Sequence, residues 1–300
     1  MTVGIACGAD VPARLWGFDV SRAQIDLDAI HSGGPPKDGI PALTRPKVVR
    51  ANGAAYLADD DPVLAVHLGG ASRAYPIRIL NWHELVNDVI GGVPVLVSYC
   101  PLCGSGVVFD RRVDEQARDF GVSGLLWESN VLMYDRTDNA LWSQLAMRAV
   151  TGPHAGTSLR ILPVFFGSWG AWRGRYPDTT VLDVETGYRR AYGRDPYDGY
   201  AASPDLIFPT SRADTRRPVK DWVVGVVVGD AAKAYPFAEL ARAARPVRDR
   251  VGDRTLVIDF DPTSRSVSVT DADGESHPAA VAFWFAWSVF HPGTALYEAR

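Results

Sequence analysis

Cys100-Pro101-Leu102-Cys103-Gly104 gathers two of the chain's three cysteines between two strand-like runs, Val93–Ser98 and Val107–Phe109. A Cys-Pro-x-Cys-Gly turn between strands is the shape of a rubredoxin-type knuckle. In it, backbone N–H groups point at both sulfurs and favour thiolates, while Gly104 supplies the permissive backbone that closes the turn. Two thiolates so held suit a soft metal ion or the making and breaking of a disulfide. Inert buried thiols are the bland alternative, but packing alone does not call for Pro101 and Gly104. Thioredoxin-type pairs open a helix after a strand, whereas Ser105–Arg111 reads as a second strand, which favours metal over redox use.

His83 follows Ile79 and Leu80 at helical spacing, at the edge of an apolar stripe. With Cys100 and Cys103 it makes a three-donor set for copper or zinc. Glu84, Asp88, His67, His291 and Met133 are candidates for a fourth ligand, and an open position would make the site catalytic. Asp88 is also a candidate to orient His83. Tyr99, Asp135 and Arg136 are candidate catalytic neighbours, although an ion pair ending a strand explains the last two equally well. Arg78, Tyr134 and Trp142 are candidate substrate-binding residues.

An internal comparison sharpens this reading. Shifted by 160 residues, positions 63–70 (VLAVHLGG) fall on 223–230 (VVGVVVGD), and Arg73-Ala74-Tyr75-Pro76 falls on Lys233-Ala234-Tyr235-Pro236. The endings Trp172-x3-Tyr176-Pro177-x-Thr179 and Trp287-x3-His291-Pro292-x-Thr294 correspond at an offset of 115, so the first copy carries 160 − 115 = 45 extra residues. Where the first copy has His83, Cys100 and Cys103, the second has Ala243, Phe260 and Thr263. A shared scaffold therefore does not require the histidine and cysteines, and the first copy reads as the working half.

Each copy predicts a strand, a Tyr-Pro step into a short helix (about 77–87 in the first), a Gly91-Gly92 turn, and two more strands. The second copy joins those strands through Asp261-Pro262-Thr263-Ser264. The expected fold class is α+β: two related, mostly antiparallel β-rich units with short helices in one globular body. The divisions are an extended N-terminal arm at 1–60 with little regular structure, a first unit at 61–182, a connecting segment at 183–221 and a degenerate second unit at 222–300. Cys7 falls in the arm and is expected to matter little.

Three hundred residues, 47% of them hydrophobic, can bury a large core. A net charge of −4 offers no basic field for nucleic acid, and no apolar run is long enough to span a membrane. With no leader-like start and few cysteines, the expectation is a cytoplasmic protein without a structural disulfide.

Several stretches in order resemble a bacterial family known as domain of unknown function 3179. They include SGGPPKDGIPAL at 32–43, RAYPIRILNWHELVND at 73–88, VPVLVSYCPLCGSGVVFDR at 93–111, FGVSGLL at 120–126, VLMYDR at 131–136, YGRDPYDGY at 192–200 and FWFAWSVFHPGTALY at 283–297. The resemblance implies that His83, Cys100 and Cys103 belong to the family's pattern. It implies no activity. Many members carry export leaders, which sets this chain's expected compartment apart. The resulting expectation is a metalloprotein with one transition-metal ion, copper before zinc. It would act as an oxidoreductase on a small-molecule substrate, with neither nucleic acid nor membrane as partner and no oligomeric state implied. A thiol–disulfide oxidoreductase and a non-enzymatic metal-binding protein are the alternatives.

Overall fold

The computed structural model describes residues 13–299, so Cys7 lies outside the described residues. Strands dominate. Those that position the site are β1 (Pro62–Leu68), β2 (Ala71–Pro76), β3 (Leu85–Ile90), β4 (Val93–Cys100), β5 (Ser105–Asp110), β6 (Phe120–Trp127), β7 (Asn130–Asp135) and β8 (Phe165–Ser168). They continue with β9 (Trp222–Val228), β10 (Ala231–Pro236), β11 (Val247–Val251), β12 (Arg254–Asp261), β13 (Ser266–Asp271) and β14 (Ala280–Phe283). Among the described residues four short α-helices interrupt them: α1 (Ile77–His83), α2 (Trp169–Arg175), α3 (Phe237–Arg242) and α4 (Trp284–Phe290).

Two large sheets carry the fold. One runs β10-β9-β14-β5-β4-β3 and the other β11-β12-β13-β8-β1-β2, each extended at its edges by shorter strands. Nearly all pairings are antiparallel, as short hairpin connections require. Leu64, Val66, Val97, Val108, Val224, Val226, Ile258 and Val267 come from both sheets and share one apolar core. A five-stranded sheet built on β6 and β7 covers the other face of the first sheet.

This layering explains the sequence of β4. Val95, Val97 and Tyr99 belong to the core between the large sheets, whereas Leu96 and Cys100 belong to the core under the β6–β7 sheet. Side chains alternate along a strand. A strand covered on both faces therefore reads as one apolar run.

The helix at 77–87 is shorter than its sequence predicts. It stops at His83, because Glu84 turns to φ 56° and ψ −41°, and residues 85–90 pair with β4 instead. Leu85, Val86 and Ile90 suit a pleated, buried surface better than a helix. The Gly91-Gly92 turn then reverses the chain at φ 54° and 81°. Residues 14–60 are more regular than an arm of little structure would be. Three of their short strands, Ile30–Ser32, Leu43–Thr44 and Val48–Arg50, add to the edges of three different sheets. None of the described helices is long and apolar enough to cross a membrane.

Candidate functional site

Cys100 ends β4, Pro101–Cys103 form a single 3-10 turn, and Gly104 follows in the left-handed region at φ 55° and ψ 19°. The register then pairs Ser105 with Cys100, closing the turn between β4 and β5. Glycine is required at 104 twice over. A side chain there would strain the backbone, and its Cβ would stand 3.0 Å from the rings of Phe283 and Trp222. Both cysteines are free thiols, with Cys100 1% and Cys103 0% exposed.

The two sulfurs are not equivalent. Burial pushes the Cys100 thiol up. The Cys103 thiol and the amides of Val131, Cys103 and Leu102 all donate toward its sulfur and outweigh burial, so it lies below the ordinary value. Burial and then the Cys100 charge push Cys103 well above that value. The Cys103 Sγ lies 3.3 Å from the Ser129 carbonyl, a second acceptor that competes for its single proton. Of the two sulfurs Cys100 is the more readily ionised, and Cys103 is the one that holds its proton more tightly.

The β6–β7 hairpin supplies two of these contacts. Glu128 and Ser129 turn the chain with φ of 53° and 61°, positive at both central positions as a tight two-residue hairpin demands. That turn brings the Ser129 carbonyl to Cys103 and the Val131 amide to Cys100. Asn130 between them lowers the Cys103 thiol in part. Asn130 is itself fixed: its amide donates to Gln144 Oε1 at 2.8 Å and Ser105 Oγ at 3.3 Å, and its oxygen accepts from the Leu145 amide at 3.2 Å. Gln144 in turn donates to Ser98 Oγ and the Ser105 carbonyl, both at 3.1 Å. Such a satisfied, buried network holds its members in one geometry.

Glu84 is buried and feels the charge of Cys100. Its strained backbone is pinned by its own amide on the Leu80 carbonyl at 2.7 Å and by the Tyr99 amide on its carbonyl at 2.8 Å. Burial first, then the Cys100 charge, push its carboxyl well above the usual range. It therefore holds its proton more tightly than an ordinary carboxyl. Burial also raises the phenols of Tyr99, Tyr197 and Tyr200, and all three feel the charge of the thiols. These three rings line a cleft of about 310 Å³ with Phe166, Trp222 and Phe283. Tyr99 and Pro101, the neighbours of Cys100 in sequence, form its wall toward the knuckle.

The structure does not bring His83 to the thiols. Its Nδ1 donates to the Pro41 carbonyl at 2.7 Å and its Nε2 accepts from the Tyr192 hydroxyl at 2.6 Å, so both ring nitrogens are committed. Burial, the main influence, lowers its pKa and keeps it neutral. Among the described residues, no group of three or more His, Cys, Asp or Glu side chains is placed to hold a metal ion. Asp88 does not orient His83 either; it binds Arg73 at 2.7 Å and the Tyr75 hydroxyl at 2.8 Å.

The remaining sequence candidates scatter. Asp135 is fully buried in an ion pair with Arg118 at 2.9 Å, and Arg136 pairs with Asp38 at 2.6 Å. Tyr134 donates to that same Asp38. Asp135 and Arg136 thus pair with residues elsewhere in the chain and not with each other. Arg78 holds the Tyr56 carbonyl at 3.0 Å and pairs with Asp61. Trp142 is fully buried, edge-on to Phe120 with ring centres 5.6 Å apart. Of the candidates beyond the cysteines, Tyr99 borders the cleft and Glu84 adjoins Cys100. The hairpin tip at 128–131 and the aromatic walls at Phe166, Tyr197, Tyr200 and Trp222 have no chemical signature of their own in the sequence. Only the stretch YGRDPYDGY, which includes Tyr197 and Tyr200, carried a hint.

Over residues 37–294 the chain matches the family described as Protein of unknown function (DUF3179), and it belongs to that family. No curated protein and no solved structure matches it.

Proposed function

We propose that this member of the DUF3179 family uses Cys100 and Cys103 as a dithiol–disulfide couple acting on a small molecule, with Cys100 as the attacking thiolate. The observation that carries the reading is the asymmetry of the pair. Three backbone amides and a neighbouring thiol favour the Cys100 thiolate, while Cys103 keeps its proton. Both sulfurs are buried, so a docked protein disulfide does not reach them and the proposed reactant is small; Tyr99 and Pro101 wall the neighbouring cleft, and neither sulfur lines it.

For a small disulfide RS–SR the steps balance. Cys100 attacks one sulfur, a Cys100–S–SR bond forms, and RS⁻ leaves and takes a proton from the neutral Glu84. Cys103 passes its proton to the Glu84 carboxylate and attacks Cys100, forming the Cys100–Cys103 bond and releasing the second RS⁻, which water protonates. The dithiol is oxidised by two electrons and RS–SR is reduced to two thiols.

A soft-metal site is the second reading, copper before zinc, and the same N–H groups around Cys100 favour it. The residues present supply two sulfurs, with His83 committed elsewhere. A three-donor site thus lacks its third protein ligand. A bound ion would supply a Lewis-acidic or redox centre, held by Cys100 and Cys103 alone.

We further read the chain as two related units, 61–182 and 222–300. The order strand, strand, helix and three-strand meander runs through β1–β5 and again through β9–β13. Trp172 Nε1 donates to Thr179 and Trp287 Nε1 to Thr294, each at 2.9 Å. Each large sheet joins the meander of one unit to the hairpin of the other, through Gly106 opposite Val281 and Val267 opposite Phe166.

The test is oxidation of the fully reduced protein by bis(2-hydroxyethyl) disulfide in the wild type and in Cys100→Ser and Cys103→Ser. Cys103→Ser should stall as a mixed disulfide on Cys100 that mass spectrometry detects, and Cys100→Ser should not react at the site. A mixed disulfide forming first on Cys103 would reverse the assignment.

A further inference from the structure

The outer edges of the two large sheets end differently in the two units. In the first unit, residues 43–50 form a strap across them. Leu43 and Thr44 pair in parallel with Val86 and Asn87 of β3. Val48–Arg50 then pair with the short strand Thr180–Leu182, which itself lies parallel to β2. The Arg45 amide donates to the Asn87 carbonyl at 2.8 Å, so Asn87 turns its backbone outward to the strap. Leu43 is buried in the core between the sheets, and Lys47 pairs with Asp183 at 3.1 Å.

The second unit has matching edges and, among the described residues, no strap. β3 and β11 each end in a two-residue turn, which puts Val247 in the place of Val86 and Arg248 in that of Asn87. A local detail repeats: Asp88 Oδ1 accepts from the Val89 amide at 2.8 Å, and Asp249 Oδ1 from the Arg250 amide at 2.7 Å. The short strand Ala295–Leu296 lies against β10 with Ala295 opposite Lys233, as Thr180 lies opposite Arg73. Glu298 therefore stands where Asp183 stands. Among the described residues β11 pairs only with β12, and Ala295–Leu296 only with β10. A groove of about 780 Å³ runs between these edges, lined by Ala243, Pro246, Val247 and Leu296 among others. Asp249 is neutralised by Lys233 at 2.6 Å. Arg248 and Glu298, also in its lining, are exposed and have no charged partner among the described residues.

An open edge strand offers its outward N–H and C=O groups to an added strand. The strap of the first unit is a template for what such an edge accepts: extended backbone, an aliphatic side chain directed inward, and a cation four residues later. We infer that the edge of β11 and its groove bind an extended segment of a partner protein as a parallel strand. An aliphatic residue of that segment seats against Val247, and a basic residue four positions later pairs with Glu298. The inference rests on the correspondence between the edges of the two units and is independent of the dithiol reading.

The probe is a fluorescein-labelled peptide PALTRPKVVR, copied from residues 41–50, titrated with the full-length protein and followed by anisotropy. It should bind saturably, and aspartate in place of its leucine should abolish binding. Glutamate in place of its lysine should weaken binding about fivefold, the upper worth of one exposed ion pair. Glu298→Lys should invert that preference. Arg248→Pro removes the outward N–H of the edge and should abolish binding, with the melting temperature checking that the variant is folded; Glu298→Lys decides if it is not. No saturable binding, or a charge preference unchanged in Glu298→Lys, overturns the inference. Binding that survives in folded Arg248→Pro also overturns it, since the peptide then displaces the strap of the first unit instead. Concentration-dependent dimerisation that Arg248→Pro abolishes assigns the edge to a second copy of this chain and overturns it equally.

Discussion

Glu84→Gln should stabilise the protein, and by an amount that grows with pH. The carboxyl is buried and held well above its ordinary value of 4.5, with burial the larger cause and the Cys100 charge the second. Above pH 4.5 the unfolded chain releases this proton while the folded chain keeps it. The unfolded state then binds fewer protons, so stability falls as pH rises, until the folded carboxyl itself ionises. The slope is about 1.4 kcal/mol per pH unit for one proton. An amide of the same shape never ionises and removes that dependence. Between pH 5.5 and 6.5 the stability gap between Glu84→Gln and wild type should therefore widen by about 1.4 kcal/mol, on the order of 2–4 °C in melting temperature. The assay is urea unfolding of both proteins under reducing conditions at the two pH values. A constant gap would mean that Glu84 is ionised in the folded state, and its role as a proton store beside Cys100 would be lost.

Other expectations follow from the same geometry. Gly104→Ala should cost about 2–5 kcal/mol in denaturant unfolding, combining left-handed strain with crowding against Phe283 and Trp222. Asn130→Ala should cost about 1–3 kcal/mol by leaving Gln144 and the Leu145 amide short of a partner. It should also raise the Cys103 thiol further and slow the second step of disulfide formation, read by stopped-flow thiol consumption. His83→Ala should destabilise the fold by losing its bonds to Pro41 and Tyr192, yet leave the rate of dithiol oxidation nearly unchanged. Equal loss of that rate at His83, Cys100 and Cys103 would favour the three-ligand metal site.

Sequence legibility followed how local the determinants are. The knuckle was legible because cysteine spacing, Pro101 and Gly104 act within five residues, and the left-handed Gly104 is where that pattern needs it. The strands around it were legible from β-branched runs. The end of α1 was not, because Glu84 breaks the helix through long-range bonds from Tyr99 and through pairing of 85–90 with β4. His83 was misplaced for the same reason. Helical spacing fixed its inward face, but residues 41 and 192, far off in the chain, decide what that face meets. Apart from the Asn130 side chain, the hairpin tip at Glu128–Val131 is silent in sequence because it works through a carbonyl and an amide, which every residue possesses.

The most direct test of the account is a thiol count with peptide mapping on anaerobically reduced protein, before and after bis(2-hydroxyethyl) disulfide, with metal content measured on the same sample. The account predicts that Cys100 and Cys103 lose their thiols together, are recovered linked to each other, and return on reduction. Thiols that stay unreactive in a protein carrying stoichiometric copper or zinc would contradict it.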